Sequence, residues 1–309
     1  MDELKPYCWS NLQSLEIARS HPSTAAYEGK IYAFGGGGPN FKSLSSAICL
    51  DPETNEWSEC ASMPTLRSGT VAATMGDYIY VAGGGFRQED GKFRFLTTVE
   101  IFHPKTNTWT KGPDLINPHD YPAVAVIDGC MYVLGGHHPK ATEGGPKTDP
   151  GFDFCERLDP NKGAWEAIAE LPTPRFALSA VTHEGKILAM GGVAFRPEGF
   201  NNFTTIEIYD PKTNQWSEDE SLKLPWPAAG LGSAKVGDDI FVFGGYSDDN
   251  IHNRTARYNT SSKTWEHTGT LPAPVAAMGV TTLKNNIFSI GGWADDGRTP
   301  INAAYKFTL

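Results

Sequence analysis

The chain has 309 residues and a formal charge of −10, from 26 Lys and Arg against 36 Asp and Glu. Its 11% aromatic content excludes a disordered chain, and 33 Gly with 22 Pro exclude a coiled coil, whose helices they would interrupt. The acidic balance argues against duplex nucleic acid as a dedicated partner, because phosphate binding requires clustered Lys and Arg.

At the N-terminus, residues 1–9 carry neither a basic start nor an apolar run of signal length, so no secretion signal is expected. No stretch approaches the ~18 apolar residues of a membrane span. Cys8, Cys49, Cys60, Cys130 and Cys155 are odd in number and lack C-x-x-C spacing, which argues against a zinc site or a disulfide framework. Most of them lie in apolar runs and are expected to be inert buried thiols in a cytoplasmic protein.

Six apolar runs then follow in order: Ile31-Tyr-Ala-Phe, Ile79-Tyr-Val-Ala, Met131-Tyr-Val-Leu, Ile187-Leu-Ala-Met, Ile240-Phe-Val-Phe and Ile287-Phe-Ser-Ile. Each ends in a glycine doublet, and the doublets recur about every 51 residues. Four apolar residues closed by Gly-Gly are too short for a helix and suit a buried strand. After each of the first five doublets comes a strand that meets a polar turn, mostly Asp-Pro, and leaves on Trp57, Trp109, Trp165, Trp216 or Trp265. Such turns join antiparallel strands, so each unit is read as a four-stranded sheet that needs neighbours on both faces. No Lys-Ser/Thr pair follows Gly35 to Gly38, so no nucleotide cofactor is expected.

The doublet-plus-Trp unit resembles the kelch repeat, and the resemblance covers nearly the whole chain. It implies an all-β, six-bladed β-propeller forming a single domain over 1–309. Its blades fall approximately at 13–60, 61–112, 113–169, 170–220, 221–268 and 269–309 plus 1–12. The sixth unit lacks its Trp, whereas Trp9 stands unpaired near the start, so the N-terminal strand is expected to close the last blade.

Function in a propeller concentrates on the loop faces and the central channel. Sixteen residues before each doublet stand Arg19, Arg67, His119, Arg175, Ala228 and Val275, read as the starts of the innermost strands. Arg19, Arg67 and Arg175 suggest an anion site, or else braces for loop carbonyls. Trp226, Tyr246 and Trp293 are read as walls opposite them, with Tyr121, Arg87 and His137 as further ligand contacts. Counting charges by loop makes this face about +2 and leaves about −12 elsewhere. Adjacent His137 and His138 point to opposite sides of an extended segment, so no metal site is expected.

Two readings follow. One is a binding module that takes an acidic protein segment or a small anion on this face. The other, by analogy with kelch-type sialic acid mutarotases, is a cofactor-independent enzyme. Under the second, His119 with Asp120 or His21 transfers protons to a small anionic, sugar-like substrate. A deep pocket around His119 would favour the enzyme, and an open face would favour the module.

Overall fold

The computed structural model describes residues 7–142, 148–248, 250–294 and 299–309. Six four-stranded antiparallel sheets form the blades of a propeller. In blade one, Ser23–Tyr27, Lys30–Phe34, Ala47–Asp51 and Glu56–Cys60 pair in chain order from the axis outward. The innermost strand is rich in Ser, Thr and Ala because six such strands converge there. The second strand is buried on both faces after its first residue, and the outermost is largely exposed.

The other innermost strands are Ser68–Met75, Ala123–Ile127, Ser179–His183, Gly232–Val236 and Gly279–Leu283. Except in blade two, each begins four residues later than the sixteen-residue count placed it. The intervening residues turn across the top of the channel. In blade six, Gly279–Leu283, Asn286–Ile290 and Ala304–Thr308 are completed by Cys8–Asn11, with Trp9 opposite Phe307. The N-terminal strand therefore closes the ring. The Trp9 indole donates to Thr255 Oγ1 at 2.9 Å and meets Phe243 edge-on at 4.8 Å.

Hydrophobic cores lie between the blades. Residues such as Phe34 of blade one pack with Val81, Phe102 and Trp109 of blade two, and five equivalent clusters complete the circle. The outer-strand tryptophans also pin the segments that enter their blades: Trp57, Trp109, Trp165 and Trp216 donate to the carbonyls of Gln13, Ala61, Pro113 and Ala169.

The doublets serve the same docking. The second glycine donates its N–H to a carbonyl of the next blade: Gly36 to Arg67, Gly84 to His119, Gly136 to Arg175, Gly192 to Ala228, Gly245 to Val275 and Gly292 to Arg19. A Cβ on the first glycine would stand 2.3 to 2.8 Å from that same carbonyl oxygen in all six blades. Only glycine permits this approach, and both positions carry positive φ.

The cysteines divide by depth. Cys49 and Cys155 are buried, Cys60 and Cys130 half-buried and Cys8 exposed, and all five are free. Cys8 thus departs from the expectation of a buried thiol, because its strand lies at the sheet edge. Among the described residues no helix is long and apolar enough to cross a membrane.

Candidate functional site

Arg19, Arg67 and Arg175 do not line the funnel. They are buried within the blades, at 2%, 0% and 0% exposure. Each donates back to the first glycine carbonyl of its own doublet: Arg19 to Gly35 at 3.1 Å, Arg67 to Gly83 at 3.2 Å and Arg175 to Gly191 at 2.9 Å. Arg67 also pairs with Glu100 at 2.8 Å, and Arg175 with Glu207 at 2.5 Å. Burial lowers the Arg19 pKa to about 10, and burial likewise lowers Arg67 and Arg175. The guanidinium donors go largely to the protein's own carbonyls and carboxylates, which corrects the reading of these residues as ligand contacts.

His119 takes the same place in blade three. It is fully buried, with Nδ1 at 2.6 Å from the Gly135 carbonyl and Nε2 at 3.1 Å from Glu156 Oε1. Fully buried between Gly135 and Glu156, its ring does not open to the funnel, which corrects the placing of His119 at the channel mouth. Trp226, expected in the funnel wall, is also buried; its indole donates to the Gly244 carbonyl at 3.3 Å, as the arginines do elsewhere. Sequence reasoning missed Glu100, Glu156 and Glu207. The available signal was a Glu four residues before the turn proline, in the three blades that carry Arg67, His119 and Arg175.

Closer to the axis the backbone forms a closed circuit. His21 N–H donates to Ala277, Ala277 to Gly230, Gly230 to Ala177, Ala177 to Tyr121, Tyr121 to Gly69, and Gly69 back to His21. The six bonds measure 2.7 to 3.3 Å, and all six residues are left-handed, with φ between 50° and 63°. Each residue stands fourteen positions before its doublet. Every N–H and C=O of the ring is used within it, so the ring offers no backbone anion hole.

Below the ring the channel holds a cavity of about 210 Å³ whose lining includes Ser23, Thr24, Thr70, Ser179 and Ser233. Above it the side chains of His21 and Tyr121 meet edge to face, with centroids 4.2 Å apart. His21 meets Trp293 at 4.4 Å, Trp293 stands 6.2 Å from Tyr246, and Tyr246 packs with Tyr121 against Phe176 and Ala177. The result is an aromatic dish of half-buried rings. Desolvation lowers the His21 pKa to about 3, so it is neutral, and burial pushes the Tyr246 hydroxyl up to about 12.

On one side of the dish His137 stacks on Phe176 at 4.0 Å and hydrogen-bonds Asp149 at 2.5 Å. Asp149 also accepts the N–H groups of His138 and Gly151. Asp120 is 3% exposed, and its Oδ1 has no hydrogen-bond partner among the described residues. Burial, followed by the nearby Asp149 charge, holds its pKa well above the ordinary carboxylate range. Among the described residues no three His, Cys, Asp or Glu side chains converge as a metal site.

The rim is built differently. In blade two, Tyr78–Arg87 extends into a hairpin with Phe93–Phe95, and in blade four Val193–Arg196 pairs with Gly199–Asn202. Arg87, Arg94 and Arg196 are exposed on these arms beside the exposed rings of Phe93 and Phe200. A groove of about 720 Å³ runs between the blade-two arm and Leu66. Of the charges assigned to this face by loop, Glu143, Lys147, Asp249, Asp295, Asp296 and Arg298 lie outside the described residues. Arg19, Arg67, Arg175, Asp120 and Asp149 are buried. Among the described residues, the arginines of this face that reach solvent on the arms are at the rim, and the centre is aromatic.

A family model described as the KLHDC2/KLHL20/DRC7 Kelch-repeats domain matches residues 3–192 and 123–292. Among curated proteins, the chain is 27% identical to beta-scruin of Limulus polyphemus over 77% of its own length and 26% of that protein. It is 28% identical to Kelch-like protein terF of Aspergillus terreus over 77% of its length and 52% of that protein. It is 29% identical to human Kelch-like protein 23 over 68% of its length and 35% of that protein. The chain thus spans between a quarter and about half of these relatives. Among solved structures, that of YjhT superposes with a TM-score of 0.81 at 18% identity, covering 97% of this chain and 98% of the other, a likeness of fold.

Proposed function

Because the chain belongs to the kelch-repeat family, we propose that it is a cytosolic binding module whose loop face receives an extended segment of a partner protein. The middle of that segment rests on the dish formed by His21, Tyr121, Tyr246 and Trp293. Its acidic side chains meet Arg87, Arg94 and Arg196 at the rim, where exposed guanidiniums stand beside exposed phenylalanines.

The observation that carries this reading is the closed peptide ring beneath the dish. It leaves a face of aromatic side chains over a floor whose amides are already paired, a geometry suited to laying a chain across several blades. The enzyme reading set His119 with Asp120 or His21 around a small anion; that His119 is buried between Gly135 and Glu156 supports the binding reading over it.

An array of peptides of graded charge, probed with the purified protein, tests the proposal. Retention of acidic, aromatic-containing peptides is expected, with about a five- to tenfold loss for the Arg87→Ala, Arg94→Ala double variant. Retention of none of them, or retention indifferent to the rim arginines, contradicts it.

A further inference from the structure

Against the Tyr121 ring of the dish stands a carboxyl that the proposed contact does not use. Asp120 lies in the sector of blade two, where the ring residue is Gly69 and no side chain rises from the ring. A Cβ on Gly69 would stand 2.5 Å from Asp120 Oδ1 and 3.2 Å from the Tyr121 ring. The carboxyl therefore occupies the place that a ring side chain would fill, against Tyr121, whose ring also meets His21. Buried polar atoms are nearly always paired, because an unpaired one forfeits its hydration for nothing. Oδ1 of Asp120 has no partner among the described residues.

The surroundings define what would complete it. Among the described residues the dish holds no Lys or Arg side chain: its walls are Tyr121, Tyr246, Trp293, Phe176 and the neutral His21, with His137 stacked on Phe176 at one side. The neighbouring carboxylate, Asp149, is already engaged by His137 and two backbone N–H groups. Aromatic faces attract a cation through their quadrupole, and a carboxylate beside them supplies the counter-charge. No backbone N–H of the ring is free to hold an anion here.

We propose that the centre of the dish is an anchor for a basic side chain, a primary ammonium or a guanidinium, seated among Tyr121, Tyr246 and Trp293 with Asp120 as its counter-ion. The inference rests on the reading of the loop face as a segment-binding surface and specifies that segment: a Lys or Arg at the centre with acidic residues toward the rim. The cation enters with Asp120 ionised, so binding releases the proton that burial otherwise retains. Affinity then rises with pH across the range in which Asp120 titrates. The titratable groups that bear on Asp120 are Asp149, with its His137 partner, and Tyr121, whose ring lies beside it.

The test uses small probes, so that it does not depend on knowing the partner. n-Butylammonium and n-butylguanidinium are titrated by calorimetry into the wild-type protein and the Asp120→Asn and Trp293→Ala variants at pH 6 and pH 8, with butyrate as the anionic control. Saturable cation binding is expected, tighter at pH 8, weakened about tenfold or more in either variant, and absent for butyrate. No saturable cation binding, or equal binding in wild type and Asp120→Asn, overturns the proposal. A hexaglutamate peptide reads the rim independently. If it binds through Arg87 and Arg94 while the cations do not, the anchor fails and the segment-binding face stands; if the cations alone bind, the reverse holds.

Discussion

Arg67 and Arg175 show how far one residue's meaning depends on its direction. Each is a charged side chain brought fully out of water, tolerated because carbonyls and a glutamate take up its donors. Arg67→Ala would leave Glu100 buried without its counter-charge, held by the Thr65 hydroxyl. It is expected to cost about 3–5 kcal/mol of stability, whereas Arg67→Met combined with Glu100→Leu should recover much of that loss. Denaturant midpoints for the single and double variants check both statements; a near-neutral Arg67→Ala would contradict the bracing role.

Asp120 carries the opposite expectation. Its folded pKa is raised, so above the ordinary carboxylate range the folded state holds a proton that the unfolded state has released. Stability therefore falls as pH rises through that window. Asp120→Asn removes the effect and should gain about 2 °C or more in melting temperature at pH 8 and almost nothing at pH 4. Equal gains at both pH values would show that Asp120 does not titrate in this way.

At the scale of the element, blade docking rests on the doublets and on the closing strand. Gly36 sits at φ 103°, and a Cβ there would stand 2.7 Å from the Ser20 carbonyl. Gly29, at φ 81° in a hairpin turn, faces open space. Gly36→Ala should therefore destabilise well beyond the ~1 kcal/mol expected of Gly29→Ala, which carries only the backbone cost. Removing residues 1–12 strips the edge strand and the Trp9 contacts from blade six and should lower the melting temperature; an unchanged value would contradict closure by this strand.

These elements were legible because their signals are local and repeated. The glycine doublets recur in all six units, the tryptophans in five and the turn prolines in four, and Trp9 was conspicuous as the member left over. The direction of a side chain is not local. Arg67 and Arg87 read alike as loop-face cations, yet one turns inward to Glu100 and the other outward to solvent. The deciding residue, Glu100, lies 33 positions away. The peptide ring was hidden for a related reason. It is made by backbone groups of His, Gly, Tyr, Ala, Gly and Ala, which share no side-chain signature, and only their constant offset from the doublets betrays them.

Taken as a whole molecule, the −10 charge is not spread evenly with depth. Several charges first assigned to the loop face are consumed inside the blades, which leaves an aromatic centre flanked by exposed arginines on the arms of blades two and four. That arrangement separates two tasks. The blades, stapled by doublets, buried ion pairs and tryptophans, provide a rigid frame, and the side chains above the ring are free to vary without disturbing it. Ala177 and Ala277 already occupy ring positions with the same left-handed backbone as Tyr121, so truncating Tyr121 should leave the frame intact.

The most direct measurement is therefore the affinity of the tightest array peptide for the wild-type protein and for the Tyr121→Ala, Trp293→Ala double variant, with melting temperatures recorded in parallel. A loss of about tenfold or more in affinity with the melting temperature nearly unchanged is the predicted result. Undiminished binding by the double variant would contradict the assignment of the dish as the recognition site.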